Sequence, residues 1–253
     1  MKFKATTFIV TIGLLLFNAS CVSKNNSSSD INISSSSDLI YTTSTLESSI
    51  EFNTSISSPQ IISSSSSTSK PTSREKISIY LNPSVQTKNM YINNLGSEAE
   101  NMRDIAELMY KELKLVSYID IEANIAKNGL SLSQSVNQSN SRKRHIHFAL
   151  HSNAGGGQGT EIYTKGSNKT FATTMYESFL ELGNFKRRGV KDGTHLYEIK
   201  NVKADHVALI EFAFHDNLKE AKFIVENKAL IANQMAKSIL KYICLLYTSP
   251  SPR

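Results

Sequence analysis

"HFALHSNAGGG", residues 147–157, runs from an apolar segment through a histidine and a Ser-Asn pair into three consecutive glycines. The apolar part suits a strand buried on both faces. The glycines cannot continue it, because they offer no side chain to pack and lose the most conformational freedom on ordering. His151 therefore stands at the carboxyl end of a buried strand. In open α/β sheets, ligands bind beyond that edge.

Working outward, "HVALIE" (206–211) is a second apolar strand, and "ISIYL" (77–81), "SYIDIE" (117–122) and "TEIYTK" (160–165) are further β-rich runs. Between them, 97–116 carries Met102, Ile105, Ala106, Met109 and Leu113 at helical spacing. Residues 130–142 form a weaker helix, 169–183 another, and 218–243 one or two closing helices. Strands alternating with helices predict the α/β class: a single domain with a mostly parallel twisted sheet, flanked by helices on both faces and preceded by a disordered tether.

The rest of the 253-residue chain is of a different kind. Lys2 and Lys4, the apolar run 8–17 and the small residues up to Cys21 read as an export signal over 1–21. That run is shorter than the roughly 20 residues that cross a bilayer. "FNASC" (17–21) resembles a lipobox, with Asn18 where such boxes carry an aliphatic residue, so Cys21 is expected to be lipidated. Residues 22–75 are dominated by Ser and Thr and are expected to form a tether reaching roughly 40 Å. "CLLYTSPSPR" (244–253) resembles a translated sequencing adapter and is set aside as a non-native tail, which leaves 76–243 as the catalytic domain. With Cys244 set aside, no disulfide within the chain is expected. The net charge of +6 favours an anionic surface such as cell wall or membrane. Nucleic acid is not expected as a partner, because "SRKR" (141–144) and "KRR" (186–188) are short, lack interleaved aromatics and read as solvated faces.

Two strong strands end in titratable residues, His151 and Glu211. A third candidate comes from the helix start. Ser97 and Glu100 have capping-box spacing, which occupies Glu100 and leaves Glu98 free to point over the sheet edge. One histidine and two glutamates at one edge suggest metal-assisted hydrolysis.

Four blocks then carry a resemblance: "YLNPSVQTKNMYINNLGSEAENMRDIAELM" (80–109), "HFALHSNAGGG" (147–157), "RRGVKDGTHLYEI" (187–199) and "VALIEFAFHDN" (207–217). In this order they resemble the zinc-dependent N-acetylmuramoyl-L-alanine amidases, in the clostridial and phage-lysin branch, over about residues 77–243. The resemblance implies one Zn2+ ion, with Glu98 and His151 as ligands and Glu211 as the catalytic acid–base. It implies cleavage between N-acetylmuramic acid and L-alanine of peptidoglycan.

One match fails. The family's first zinc ligand is the His of "Q-x-H-N", and here "QTKN" (86–89) puts Lys88 in its place. Deprotonating a lysine at pH 7 costs about 4–5 kcal/mol, so Lys88 is no substitute ligand. Its charge could instead stand where the metal's would. His195, in a block the family keeps near substrate, is the reserve ligand or a substrate contact. His145 and His147 share the face of His151 but lie deeper, as core or edge histidines. His206 is structural, and Asn89 is at most a weak donor. Asn217 and Glu220 repeat the capping-box spacing, so "FHDN" mainly starts a helix. Asn153 is either a substrate contact or a turn residue. Gly155, Gly156 and Gly157 either leave room for substrate or form a plain loop.

Two functions remain open on these residues. One is an exported peptidoglycan amidase, secreted or held at the membrane through Cys21. The other is an impaired module of the same fold that binds or regulates peptidoglycan.

Overall fold

The computed structural model describes residues 76–166 and 169–248. The export signal, Cys21, the tether and the end of the tail lie outside the described residues. In chain order the elements are β1 (Ile77–Pro83), α1 (Glu98–Lys114), β2 (Ile119–Ala123), α2 (Leu132–Asn140), β3 (Ile146–Asn153) and β4 (Thr160–Thr164). They continue with α3 (Thr170–Leu180), β5 (Arg187–Asp192), α4 (Tyr197–Asn201), β6 (His206–Phe214), α5 (Leu218–Glu226) and α6 (Lys228–Thr248).

The strands make one sheet in the order β2-β1-β3-β6-β4-β5. Its pairings are parallel except β4 with β6. The expected α/β architecture with a mostly parallel sheet is therefore present.

Alternation along the central strands builds two unequal layers. Ile79 and Leu81 of β1, Phe148 and Leu150 of β3, and Ile210 and Phe212 of β6 join a large core with α1, α3 and α6. Ala149 of β3 and Val207 and Leu209 of β6 face a smaller cluster with Val136 of α2 and Ile199 of α4. His147, His151 and Glu211 fall on this second side by the two-residue period of a strand. Two short helices, α2 and α4, cover it.

The helices follow their sequence signals. Met102, Ile105, Ala106, Met109 and Leu113 of α1 are all buried, at about 1.5–3 kcal/mol for each large apolar side chain. Ser97 caps α1: its hydroxyl accepts from Glu100 N, and the Glu100 carboxylate accepts from Ser97 N at 2.8 Å. Lys228–Leu246 is long and apolar enough to span a membrane. In this domain Ile231, Met235, Ile239 and Ile243 spend that apolar face on the core.

Residues 187–192, for which the sequence named no element, form edge strand β5; "RRGVKD" has one aliphatic residue, and its pairing with β4 makes it a strand. Two expectations need correction. The last helix runs to Thr248 instead of ending at Ile243, because nothing breaks it before Pro250. Asn217 does cap α5, accepting from Lys219 N and Glu220 N at 3.1 and 3.3 Å. Glu220 does not complete the box; its carboxylate accepts instead from Gly159 N and Phe214 N, both at 2.8 Å.

Candidate active site

The fold brings Glu98, His151 and Glu211 together. Glu98 opens α1, and its Oε1 lies 3.0 Å from His151 Nδ1 at the end of β3. Its Oε2 accepts from Asn89 Nδ2 at 2.9 Å. Glu211 sits beside His151 in the β3–β6 register. Glu161 of β4 sits beside Glu211 in turn. A row His151–Glu211–Glu161 thus crosses three strands.

The sequence did not single out Glu198, which α4 delivers to the same place. Its Oε1 accepts from Asn82 Nδ2 and lies 2.7 Å from His147 Nε2. His147, stacked on Tyr80, reaches Ser139 Oγ with its other nitrogen at 2.8 Å. Glu198 Oε2 lies 3.9 Å from His151 Nε2 and is buried without a hydrogen-bond partner, as is Glu211 Oε2. The signal was an acidic residue inside the apolar turn "HLYEI", next to fully buried Ile199.

These neighbours set the charges. Burial works against the charge on His151, but its hydrogen bond to Glu98 and the fields of Glu211, Glu98 and Glu198 outweigh it and raise its pKa to about 9. Burial likewise opposes ionisation of Glu98, yet the bond and charge of His151 hold its carboxyl below the usual range. For Glu198, burial is outweighed by His147, His151 and Asn82, which also lowers its pKa. Glu211 goes the other way: burial pushes it up, His151 pulls it down, and Glu98 and Glu161 push it up again, to about 7. A carboxyl poised there can both take and return a proton near neutral pH.

The remaining candidates take less central places. Lys88 lies exposed on the turn after β1. Asn89, not Lys88, meets Glu98 from that turn, and beside Glu98 and Glu198 it is His151 whose raised pKa favours a positive charge. His195 is exposed and packs edge-on against Tyr163. Asn153 donates to Glu161 Oε1 at 2.8 Å and accepts from Ala154 N at 2.8 Å, a turn residue tied to the row. Gly155 N and Gly156 N both donate to Asp216 Oδ2 at 2.7 Å. Both glycines have positive φ, and a Cβ at either would meet nothing within 4 Å. His145 accepts from Ser78 N, His206 contacts Tyr242, and His215 binds Ser152 and stacks on Tyr91, so all three are structural.

Zinc takes N and O donors at about 2.0–2.2 Å and needs three from the protein. Glu98 Oε1 and His151 Nδ1 face each other as two such donors, but no group of three or more His, Cys, Asp or Glu is placed to share a metal among the described residues. The site supplies part of a zinc centre and does not complete one.

Carboxylates thus gather around one imidazole at the carboxyl edge of the α/β sheet, where such folds bind ligands. The sequence profile of N-acetylmuramoyl-L-alanine amidases matches residues 86–243, and the chain belongs to that family, the class of enzymes that hydrolyse peptidoglycan. Among solved structures it is similar to the catalytic domain of the amidase CwlV from Bacillus (Paenibacillus) polymyxa var. colistinus. That match has 21% identity and a TM-score of 0.61, and covers 66% of this chain and 98% of that one. The amidase AmiC2 of Nostoc punctiforme matches at 16% identity and TM-score 0.60, covering 66% and 97%. The catalytic domain of the CD27L endolysin, which targets Clostridia difficile, matches at 22% and 0.53, covering 66% and 97%. At these identities the structures speak for the fold. No curated protein matched.

Proposed function

We propose that this chain cleaves the amide between N-acetylmuramic acid and L-alanine, with Glu211 as the proton-transferring residue. The observation that carries this is the Glu211 carboxyl, half-buried beside His151 with its Oε2 shut from water and its pKa pushed up to about 7. Glu211 takes the proton of the attacking water and passes it to the leaving amine. Glu98 fixes His151, and the space beside Gly155 and Gly156, where a Cβ would meet nothing within 4 Å, is where the glycan-peptide enters, with Asn153 and His195 as its contacts. A bound zinc ion would supply a polarised water and carbonyl. Glu98 and His151 are the donors available to hold it, so its affinity is low.

The N-terminal sequence supports export, with a lipid anchor at Cys21 and a tether that places the domain in the wall. No role with nucleic acid is proposed. Lys88 on its exposed turn favours a second reading, a domain that binds peptidoglycan and no longer cuts it.

Metal analysis and release of new N-terminal alanine separate these readings. Lys88→His is expected to bring zinc close to one equivalent and to raise turnover. Glu211→Gln is expected to lower turnover by about 10²–10⁴-fold. An active Glu211→Gln protein removes the proposed role. A native chain that binds peptidoglycan, and stays silent even with Lys88→His and zinc, establishes the second reading.

A further inference from the structure

The run "KRR" at 186–188, expected as solvated charge, is divided by the fold. Lys186 uses its carbonyl to accept from Thr160 N, and Arg187 pairs with Glu177 beside the Tyr176 ring. Arg188 turns to the site. Its Nε donates to Glu161 Oε2 at 2.6 Å, and its guanidinium lies 5.0 Å from the centroid of the Phe214 ring.

Both supports are themselves fixed. Glu161 is buried, its Oε1 accepting from Asn153 Nδ2 and Tyr163 Oη at 2.8 and 2.9 Å, and its Oε2 also accepting from Lys191. Phe214 is buried, its N–H held by Glu220, and Gly157 lies so close that a Cβ there would come within 2.4 Å of the ring. The guanidinium is thus held at one nitrogen and across its plane. Its two terminal nitrogens make no hydrogen bond or ion pair among the described residues, and 30% of the side chain is exposed. Arg188 and Lys191 share the one carboxylate of Glu161, which leaves this wall with a surplus positive charge.

We propose that Arg188, clamped by Glu161 and Phe214, receives a carboxylate of the stem peptide beyond the scissile amide. This rests on the amidase reading above. A guanidinium fork with free terminal nitrogens matches a carboxylate bidentately, and a pre-oriented fork loses little freedom on binding. The location agrees. Glu161 neighbours Glu211, and β5 is one strand further out. With strands about 4.8 Å apart and an extended peptide advancing about 3.5 Å per residue, the fork meets a group one to three residues past the cleaved bond.

The test is equilibrium binding to the full chain in EDTA, where turnover does not intervene. The probes are N-acetylmuramoyl-L-alanyl-D-glutamate and its counterpart with both glutamyl carboxyls amidated, which carries no carboxylate. The native protein is expected to favour the acid form by about 10–100-fold, the worth of a charge-assisted pair. Arg188→Gln is expected to abolish that preference, and Arg188→Lys, which keeps the charge without the fork, to reduce it severalfold. Equal binding of the two probes by the native chain, no measurable binding of either, or an unchanged preference in a folded Arg188→Gln protein overturns the proposal. A native chain that shows no preference and still cleaves the amide removes the receptor and leaves the amidase. Missing cleavage with the preference intact does the reverse.

Discussion

Raising the pH of the metal-free protein is expected to destabilise it, because two groups at the site hold their protons more tightly folded than unfolded. His151 goes from an ordinary 6.5 to about 9. Its stabilising contribution is fully present below about 6.5 and is lost as pH rises through about 9. Each pKa unit is worth about 1.36 kcal/mol, so the full gap corresponds to about 3 kcal/mol. Glu211, raised from 4.5 to about 7, has the same sign at lower pH, its contribution fading as pH rises through about 7. The two share the attraction between them, so their losses do not add in full. A domain of this size shifts by about 2–4 °C per kcal/mol, which puts the fall in Tm between pH 5.5 and 9.5 at about 6–12 °C. Thermal unfolding followed by circular dichroism in EDTA measures it, and His151→Gln should flatten the upper part of the curve. Below about pH 4.5 the sign reverses, since Glu98, Glu161, Glu198 and Asp216 are all held below their usual values and lose that contribution on protonation. A Tm that stays level or climbs from pH 7 to 9.5 would refute the described cluster of one imidazolium among carboxylates.

Two further outcomes test the supports of the site. Gly157→Ala forces a methyl carbon to 2.4 Å from the Phe214 ring, so the ring must move by about 1 Å; a loss of about 1–3 kcal/mol in urea unfolding is expected, and none would mean the glycine run is loose. Glu198→Ala removes the acceptor of buried Asn82 and His147; a loss of about 2–5 kcal/mol is expected, and one below about 1 kcal/mol would show that the network does not hold α4 in place.

The two outcomes share a lesson about what sequence patterns reach. Glu98 was legible because Ser97 and Glu100 form a capping box whose spacing is local, and the box assigns Glu100 elsewhere. His151 and Glu211 were legible because each ends an apolar strand. Glu161 and Glu198 were not: Glu161 looks like a surface carboxylate on a short strand, and the apolar neighbours of Glu198 in "HLYEI" name no partner for it. Their burial comes from partners 27 to 116 residues away, Arg188 on β5 and Asn82 on β1. The edge strand β5 was missed for the same reason: its pairing with β4, not its composition, makes it a strand.

By itself the sequence determined the class of fold, the order of most elements, the family and three of the site's side chains, because hydrophobic period, caps and motif blocks are written in neighbouring residues. Tertiary structure alone decided that β6 separates β3 from β4, that Glu198 and Glu161 close on His151 and Glu211, and that Arg188 pairs with Glu161 in the row while Lys88 faces solvent. Those outcomes depend on which chain segments meet across the sheet and how far each charge is taken from water, and neither quantity is a property of a residue and its neighbours in the chain.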